Sequence, residues 1–76
     1  MTKVLPILSR VRPEVDFTSS DDFFEDGLLD SFDLVTLVSE LDREYGISID
    51  GLDIVPENFG SVARIETLLK RHGVTP

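Results

Sequence analysis

The sequence contains no cysteine, which excludes disulfide bonds and thiolate metal sites. No apolar run reaches the roughly 18 residues that a membrane-spanning helix needs. The beginning of the sequence also lacks the apolar core of a secretory signal peptide. We therefore expect a soluble, cytoplasmic protein.

Basic residues are nearly absent from the middle of the chain. From Glu14 to Glu57 there are 14 acidic residues and one basic residue, Arg43. Nucleic acid and anionic membrane surfaces are therefore disfavoured, because phosphate binding needs a basic patch. A basic protein surface is the natural complement of this charge. The alternative is an acidic surface that serves solubility alone.

The sequence also has few groups suited to catalysis. Its only histidine, His72, lies at the predicted end of the last helix and is best explained as a surface residue or a partner of the helix dipole. No nucleophile elbow surrounds Ser31, so a Ser31–His72 triad is disfavoured. The glycine-rich phosphate loop and the EF-hand pattern are both missing, although loose divalent binding to the acidic loop 21–26 stays open. We expect no catalytic residues, no built metal site and no enzyme activity.

The spacing of apolar residues predicts three helices and one short helical turn. A chain of 76 residues is expected to form one domain over residues 1–76. The fold class is therefore all-α, a small four-helix bundle with a long first loop over residues 13–30. The predicted helices, in chain order, are Lys3 to about Arg12 with Thr2 as its N-cap, Ser31–Tyr45, Pro56–Phe59, and Val62 to about His72 with Ser61 as its N-cap.

The second helix carries the clearest core stripe. Its apolar residues recur at three- and four-residue spacing and comprise Leu34, Leu37, Val38, Leu41 and Tyr45. Phe32 and Val35 lie off this stripe, and they either flank the core or form an exposed docking strip. Without other information, flanking the core is the favoured interpretation. The segment Ile47–Ile49 alternates like a strand but has no partner, so we expect an extended loop.

Ser31 lies at the predicted start of this helix, within an acidic stretch. A hydroxyl in that position commonly caps the helix. Asp30 is an equally good cap, and it would leave Ser31 free. Ser31 is therefore either a cap or an attachment point surrounded by an acidic surface that partner proteins recognise.

Two segments resemble one protein family. Residues 21–32, Asp-Asp-Phe-Phe-Glu-Asp-Gly-Leu-Leu-Asp-Ser-Phe, followed by an acidic helix, are similar to the phosphopantetheine attachment region of acyl and peptidyl carrier proteins. Residues 54–62, Ile-Val-Pro-Glu-Asn-Phe-Gly-Ser-Val, resemble the third-helix region of standalone carriers. The two matches occur in family order, so the resemblance covers essentially the whole chain.

The resemblance implies a cofactor and roles for individual residues. The cofactor is 4′-phosphopantetheine, transferred from coenzyme A onto the Ser31 oxygen. Asp30 is implied in recognition by the phosphopantetheinyl transferase. The residues expected to contact partner enzymes are the apolar Phe32, Val35 and Ile49 and the acidic Asp33, Glu40 and Asp42.

The function implied is a standalone acyl or aminoacyl carrier protein. It would hold a biosynthetic intermediate as a thioester and deliver it to enzymes of a specialised pathway, such as natural-product biosynthesis. Its partners would be the transferase, a loading ligase and a downstream synthase or transferase with basic surface patches, and the carrier itself would be a monomer. Two alternatives stay open: a housekeeping fatty-acid carrier, and a helical interaction module without a prosthetic group.

Overall fold

The computed structural model describes residues 2–76 and confirms the all-α bundle. The four helices are α1 (Val4–Val11), α2 (Ser31–Tyr45), α3 (Pro56–Phe59) and α4 (Val62–Arg71). Two short 3-10 turns, Phe17–Ser19 and Gly51–Asp53, lie in the connections. No strand occurs among residues 2–76, so the segment Ile47–Ile49 is an extended loop as predicted. None of the helices in this range is long and apolar enough to cross a membrane.

The bounds of α1 differ slightly from the prediction. Lys3 is its N-cap and makes no side-chain capping bond, so the assignment of Thr2 as N-cap is wrong. The Thr2 hydroxyl accepts only a long 3.5 Å bond from the Val4 N–H. Arg12 leaves the helix with φ −138° and ψ 84°, because the following Pro13 excludes the α conformation there.

One apolar core holds the helices together. α1 packs against both α2 and α4, and α3 packs against α4. The predicted stripe of α2 faces this core, with Leu37 and Leu41 fully buried. The buried side chains are Val4, Ile7, Leu8, Phe17, Phe23, Leu29, Leu34, Leu37, Val38, Leu41, Ile49, Phe59, Ile65, Leu68 and Leu69.

The long first loop is tied to the core by aromatic anchors. The rings of Phe17 and Phe23 meet edge to face, with centroids 5.0 Å apart. The Phe23 N–H donates to the carbonyl of Gly60 at 2.7 Å, and the Phe23 carbonyl accepts from the N–H groups of Leu28 and Leu29. This loop leads directly into α2, so its anchoring fixes the approach of the chain to Ser31.

Helices α2, α3 and α4 begin or end at residues that the sequence predicts. Gly46 follows α2 with φ 64°, a left-handed conformation that glycine adopts at low cost. The Ser61 hydroxyl accepts from the Arg64 N–H at 3.1 Å and caps α4. Pro56 occupies the first turn of α3, where its missing N–H costs no helical hydrogen bond.

Candidate functional site

Ser31 is the first residue of the longest helix and its side chain is exposed. Its hydroxyl makes no hydrogen bond to any of residues 2–76. Ser31 is therefore not the cap of α2. An exposed hydroxyl without an intramolecular partner, fixed at a helix start, is available to an enzyme that approaches from solvent.

Asp30 caps the helix instead, through a reciprocal pair of bonds with Asp33. The Asp33 N–H donates to Asp30 Oδ1 at 2.9 Å, and the Asp30 N–H donates to Asp33 Oδ2 at 3.1 Å. This is a capping box, which satisfies two backbone donors that the helix itself leaves free. The box explains why the chain starts its helix at this point and leaves Ser31 unpaired.

Arg12 connects the end of α1 to this capping box. Its Nε and Nη2 atoms lie 2.9 and 2.8 Å from Asp33 Oδ2, and Nη2 lies 3.6 Å from Asp30 Oδ2. Burial by itself raises the pKa of Asp33, but the bonds from Arg12 and from the Asp30 N–H lower that pKa overall. The Asp33 carboxylate is thus kept charged close to Ser31.

The lowered pKa of Asp33 predicts a loss of stability in acid. Because the pKa is lower in the folded state than in the unfolded state, the stabilisation is complete above the ordinary Asp pKa of about 3.9 and is lost as pH falls through the folded value. We expect Asp33→Asn to lower the free energy of unfolding at pH 7 and to change it little near pH 2. Urea unfolding at both pH values measures this.

The exposed Asp21 provides the matched control for this measurement. Asp21→Asn should leave the pH dependence of the parent protein intact. If Asp33→Asn and Asp21→Asn gave the same pH profile, the ion pair of Asp33 with Arg12 would contribute nothing to stability.

The apolar residues expected to dock partners divide into two groups. Phe32 and Val35 are exposed, with 83% and 62% of their surface accessible, so the interpretation that they flank the core is wrong. Ile49 is buried, so its predicted exposure is also wrong. The loop that carries Ile49 is held to α2 by a 3.0 Å bond from the Ile49 N–H to Asp42 Oδ1.

Sequence reasoning missed Leu52, which is 89% exposed. Its position in a 3-10 turn lacks the periodicity that reveals a helix face.

The acidic residues expected to be exposed on α2 are largely paired within the protein. Asp33 is bound to Arg12, and Asp42 accepts the loop N–H described above. Glu40 contacts both Arg10 and Arg43, and its side chain is only 18% accessible. These three residues were expected on or near the exposed part of α2. The structure shows them only partly accessible, because cations and a backbone donor pack onto them.

His72 is placed at the C-terminal end of α4. Its Nε2 atom lies 3.7 Å from Asp53 Oδ2 on the second 3-10 turn. The carboxylate next to the His72 ring therefore comes from the loop that follows α2. No group of three or more metal-ligating side chains occurs among residues 2–76.

The attachment geometry suits a phosphorylated group on Ser31. The first N–H groups of a helix point outward along its axis, and the positive end of the helix dipole lies there. Both favour an anion at the helix start. The 15-residue length of α2 supports a full dipole, and the exposed hydroxyl leaves room for a phosphodiester.

Comparison with known protein families agrees with this geometry. The sequence model described as "Phosphopantetheine attachment site" matches residues 2–69. The chain belongs to this family. No curated protein and no solved structure gives a significant match to it.

Membership explains the features of the site. A phosphopantetheine attachment domain bears 4′-phosphopantetheine covalently and is a carrier protein rather than a catalyst. Carrier domains interact with phosphopantetheinyl transferases and with other enzymes. The exposed hydroxyl of Ser31 at the start of α2 fits this role.

Proposed function

We propose that Ser31 is the attachment residue of this carrier and that the carrier delivers an acyl or aminoacyl unit to enzymes of a specialised biosynthetic pathway in the cytoplasm. The observation that supports this most directly is the position of Ser31. It is the first residue of α2, it is exposed, and Asp30 makes the capping bond that a serine usually makes. The thiol of the phosphopantetheine arm holds the cargo as a thioester.

Loading makes a phosphodiester on Ser31. The Ser31 oxygen forms a bond to the phosphorus of coenzyme A that bears the pantetheine arm. The bond from that phosphorus to the oxygen of the adenosine-containing half breaks, and this half leaves with the bonding electrons. The hydroxyl proton passes to a base of the transferase. The carrier contributes a fixed nucleophile and a helix N-terminus that favours the anionic product. The transferase supplies the proton acceptor, since the side chains around Ser31 are held in the capping box.

Asp30 serves two purposes in this proposal. Its Oδ1 atom caps the helix, and its carboxylate is exposed next to Ser31. An exposed carboxylate in that position offers a recognition point for a cation of the transferase. The contact would be solvent-screened and individually weak, so it would contribute to orientation more than to affinity.

Phe32 and Val35 form the proposed apolar contact with partner enzymes. They are three residues apart on α2 and therefore share one face of the helix, adjacent to Ser31. Two large apolar side chains with 83% and 62% accessibility are unusual enough in so small a domain to indicate docking. Ile49 is not included, because it is buried.

The acidic residues contribute mainly through their summed field. Asp33, Glu40 and Asp42 are engaged within the protein, whereas Glu44 on the same helix is exposed. A net charge of −8 attracts enzymes with basic patches over a Debye length of about 10 Å. This field raises the rate of encounter, while Phe32 and Val35 make the specific contact.

The specialised pathway is supported by the segment Pro56–Ser61, whose Pro-Glu-Asn-Phe-x-Ser pattern resembles standalone carriers outside fatty-acid synthesis. Two of its residues hold the loop after α2 in place. Asn58 Nδ2 donates to the carbonyl of Asp53 at 2.9 Å, and Phe59 is fully buried. The segment therefore anchors the loop that follows α2.

Intact mass spectrometry tests the proposed function. The protein is incubated with coenzyme A and a broad-specificity phosphopantetheinyl transferase, and the modified peptide is then sequenced. We expect a gain of one phosphopantetheine, located on Ser31. Omission of coenzyme A should leave the mass unchanged. A protein that gains no mass, or gains it on another serine such as Ser39, would contradict the assignment of Ser31.

A further inference from the structure

The start of α2 can be capped in two ways. Serine and aspartate cap helices about equally well, and Asp30 and Ser31 are adjacent. With Asp30 as cap, the helix begins at Ser31 and the Ser31 hydroxyl is free. With Ser31 as cap, the helix begins one residue later and the hydroxyl is bonded to a backbone N–H. Only the first arrangement presents a free nucleophile.

The sequence around α2 favours the first arrangement only in part. With Asp30 as cap, the third helical residue is Asp33, which closes the capping box. With Ser31 as cap, that position is Leu34, which cannot accept a hydrogen bond. The box, however, brings two carboxylates together, and their mutual repulsion works against it.

Arg12 removes that repulsion. Its Nε and Nη2 atoms both bind Asp33 Oδ2, at 2.9 and 2.8 Å, and its Nη2 atom lies 3.6 Å from Asp30 Oδ2. The guanidinium therefore contacts both partners of the box. It does so from the residue that directly follows α1, 21 positions away from Asp33 in the sequence.

We propose that Arg12 is a positioning residue for the loading of Ser31, because it fixes the cap of α2 at Asp30 and so keeps the Ser31 hydroxyl free. This inference rests on the proposed function. Arg12 contacts neither the hydroxyl nor the cofactor in this role; it acts through Asp30 and Asp33.

The chain contains a matched control for Arg12. Arg10 lies in the last turn of α1, two positions before Arg12, and it too pairs with a carboxylate of α2, Glu40, with 3.2 Å between Arg10 Nε and Glu40 Oε1. Glu40 lies nine positions beyond Ser31, far from the helix start. Arg10→Gln and Arg12→Gln thus remove the same charge and an ion pair with α2, but only the second touches the capping box. Arg12→Gln also removes a 3.9 Å contact with Glu14, whose side chain is 64% accessible.

The test compares the parent, Arg12→Gln, Arg12→Lys and Arg10→Gln proteins. Steady-state loading by one phosphopantetheinyl transferase gives kcat and KM for each carrier. Amide hydrogen exchange gives the opening of the Asp30 and Asp33 N–H groups, and thermal unfolding gives global stability.

For Arg12→Gln we expect KM to rise about tenfold with kcat within about twofold, because only the fraction of molecules capped at Asp30 is competent to bind. Exchange of the Asp30 and Asp33 amides should accelerate about tenfold as well. Arg10→Gln should keep KM, kcat and these exchange rates within about twofold of the parent. Arg12→Lys should restore part of the loss, since lysine supplies the charge without the planar fork.

Several results would overturn the inference. Removal of a positive charge makes the carrier more acidic, so a purely electrostatic role predicts a lower KM in both glutamine variants. A purely structural role predicts equal changes in Arg10→Gln and Arg12→Gln that follow their melting temperatures. Unchanged exchange at Asp30 and Asp33 would show that the cap does not depend on Arg12. If the parent protein itself were not loaded, the proposed function would fail, and hydrogen exchange would still show whether Arg12 holds the cap.

Discussion

Ser31→Ala is expected to abolish loading completely while leaving the fold intact. The hydroxyl is the only group that the reaction needs from this residue, and alanine cannot supply it. Asp30, and not Ser31, makes the capping bond of α2. The free energy of unfolding should therefore change by less than about 0.5 kcal/mol, as for other surface substitutions. Intact mass after incubation with coenzyme A and transferase, together with urea unfolding, measures both effects.

The control for this variant is Ser39→Ala, which replaces another exposed serine of the same helix and should be loaded like the parent. Asp30→Ala gives a contrast in stability, because loss of a cap costs about 0.5–2 kcal/mol. If Ser31→Ala itself lowered the free energy of unfolding by about 0.5–2 kcal/mol, Ser31 would be the cap of α2. The conclusion that its hydroxyl is free would then be wrong. If Ser31→Ala still gained mass, the attachment residue would be elsewhere.

Leu41→Ala is expected to destabilise the protein severely. Leu41 is fully buried on the core face of α2, in the helix that α1 packs against. Truncation of such a leucine costs about 2–5 kcal/mol through lost burial and the cavity that is left. In a domain of this size, each kcal/mol lowers the melting temperature by about 4–8 °C. The melting temperature should therefore fall by about 10 °C or more.

The same substitution at an exposed site provides the control. Leu52 is 89% accessible, so Leu52→Ala should change the free energy of unfolding by less than about 0.5 kcal/mol. A shift of only a degree or two for Leu41→Ala, or equal shifts for the two variants, would show that the core face of α2 is wrongly assigned. Thermal unfolding followed by circular dichroism measures both variants.

The pairing of charges has a consequence for how this carrier meets its partners. Two cations near the beginning of the sequence are paired with α2: Arg10 contacts Glu40, and Arg12 contacts Asp33. These ion pairs join the end of α1 to the helix that starts at Ser31. The acidic field seen by a partner therefore comes mainly from the residues outside these pairs, and Phe32 and Val35 are the exposed apolar side chains next to Ser31 on α2.

The sequence by itself determined the helices and the attachment motif. The bounds of α2, its glycine stop at Gly46 and the Ser61 cap of α4 were predicted correctly, because periodicity and capping depend on residues within four positions of one another. The family was likewise predicted from two contiguous segments. These signals depend on residues close together in the chain, so they can be predicted from the sequence without knowledge of the tertiary structure.

Tertiary structure alone decided which side chains of the site are free. The burial of Ile49 follows from its bond to Asp42, and the engagement of Asp33 follows from Arg12, 21 positions earlier. The exposure of Phe32 was likewise decided only in the folded structure. Such contacts depend on which helices lie side by side, and neighbours in space leave no periodic signal in a single sequence. The position of Ser31 at the start of α2 is thus a local property, whereas the contact of Arg12 with the Asp30–Asp33 capping box depends on the fold that brings Arg12 there.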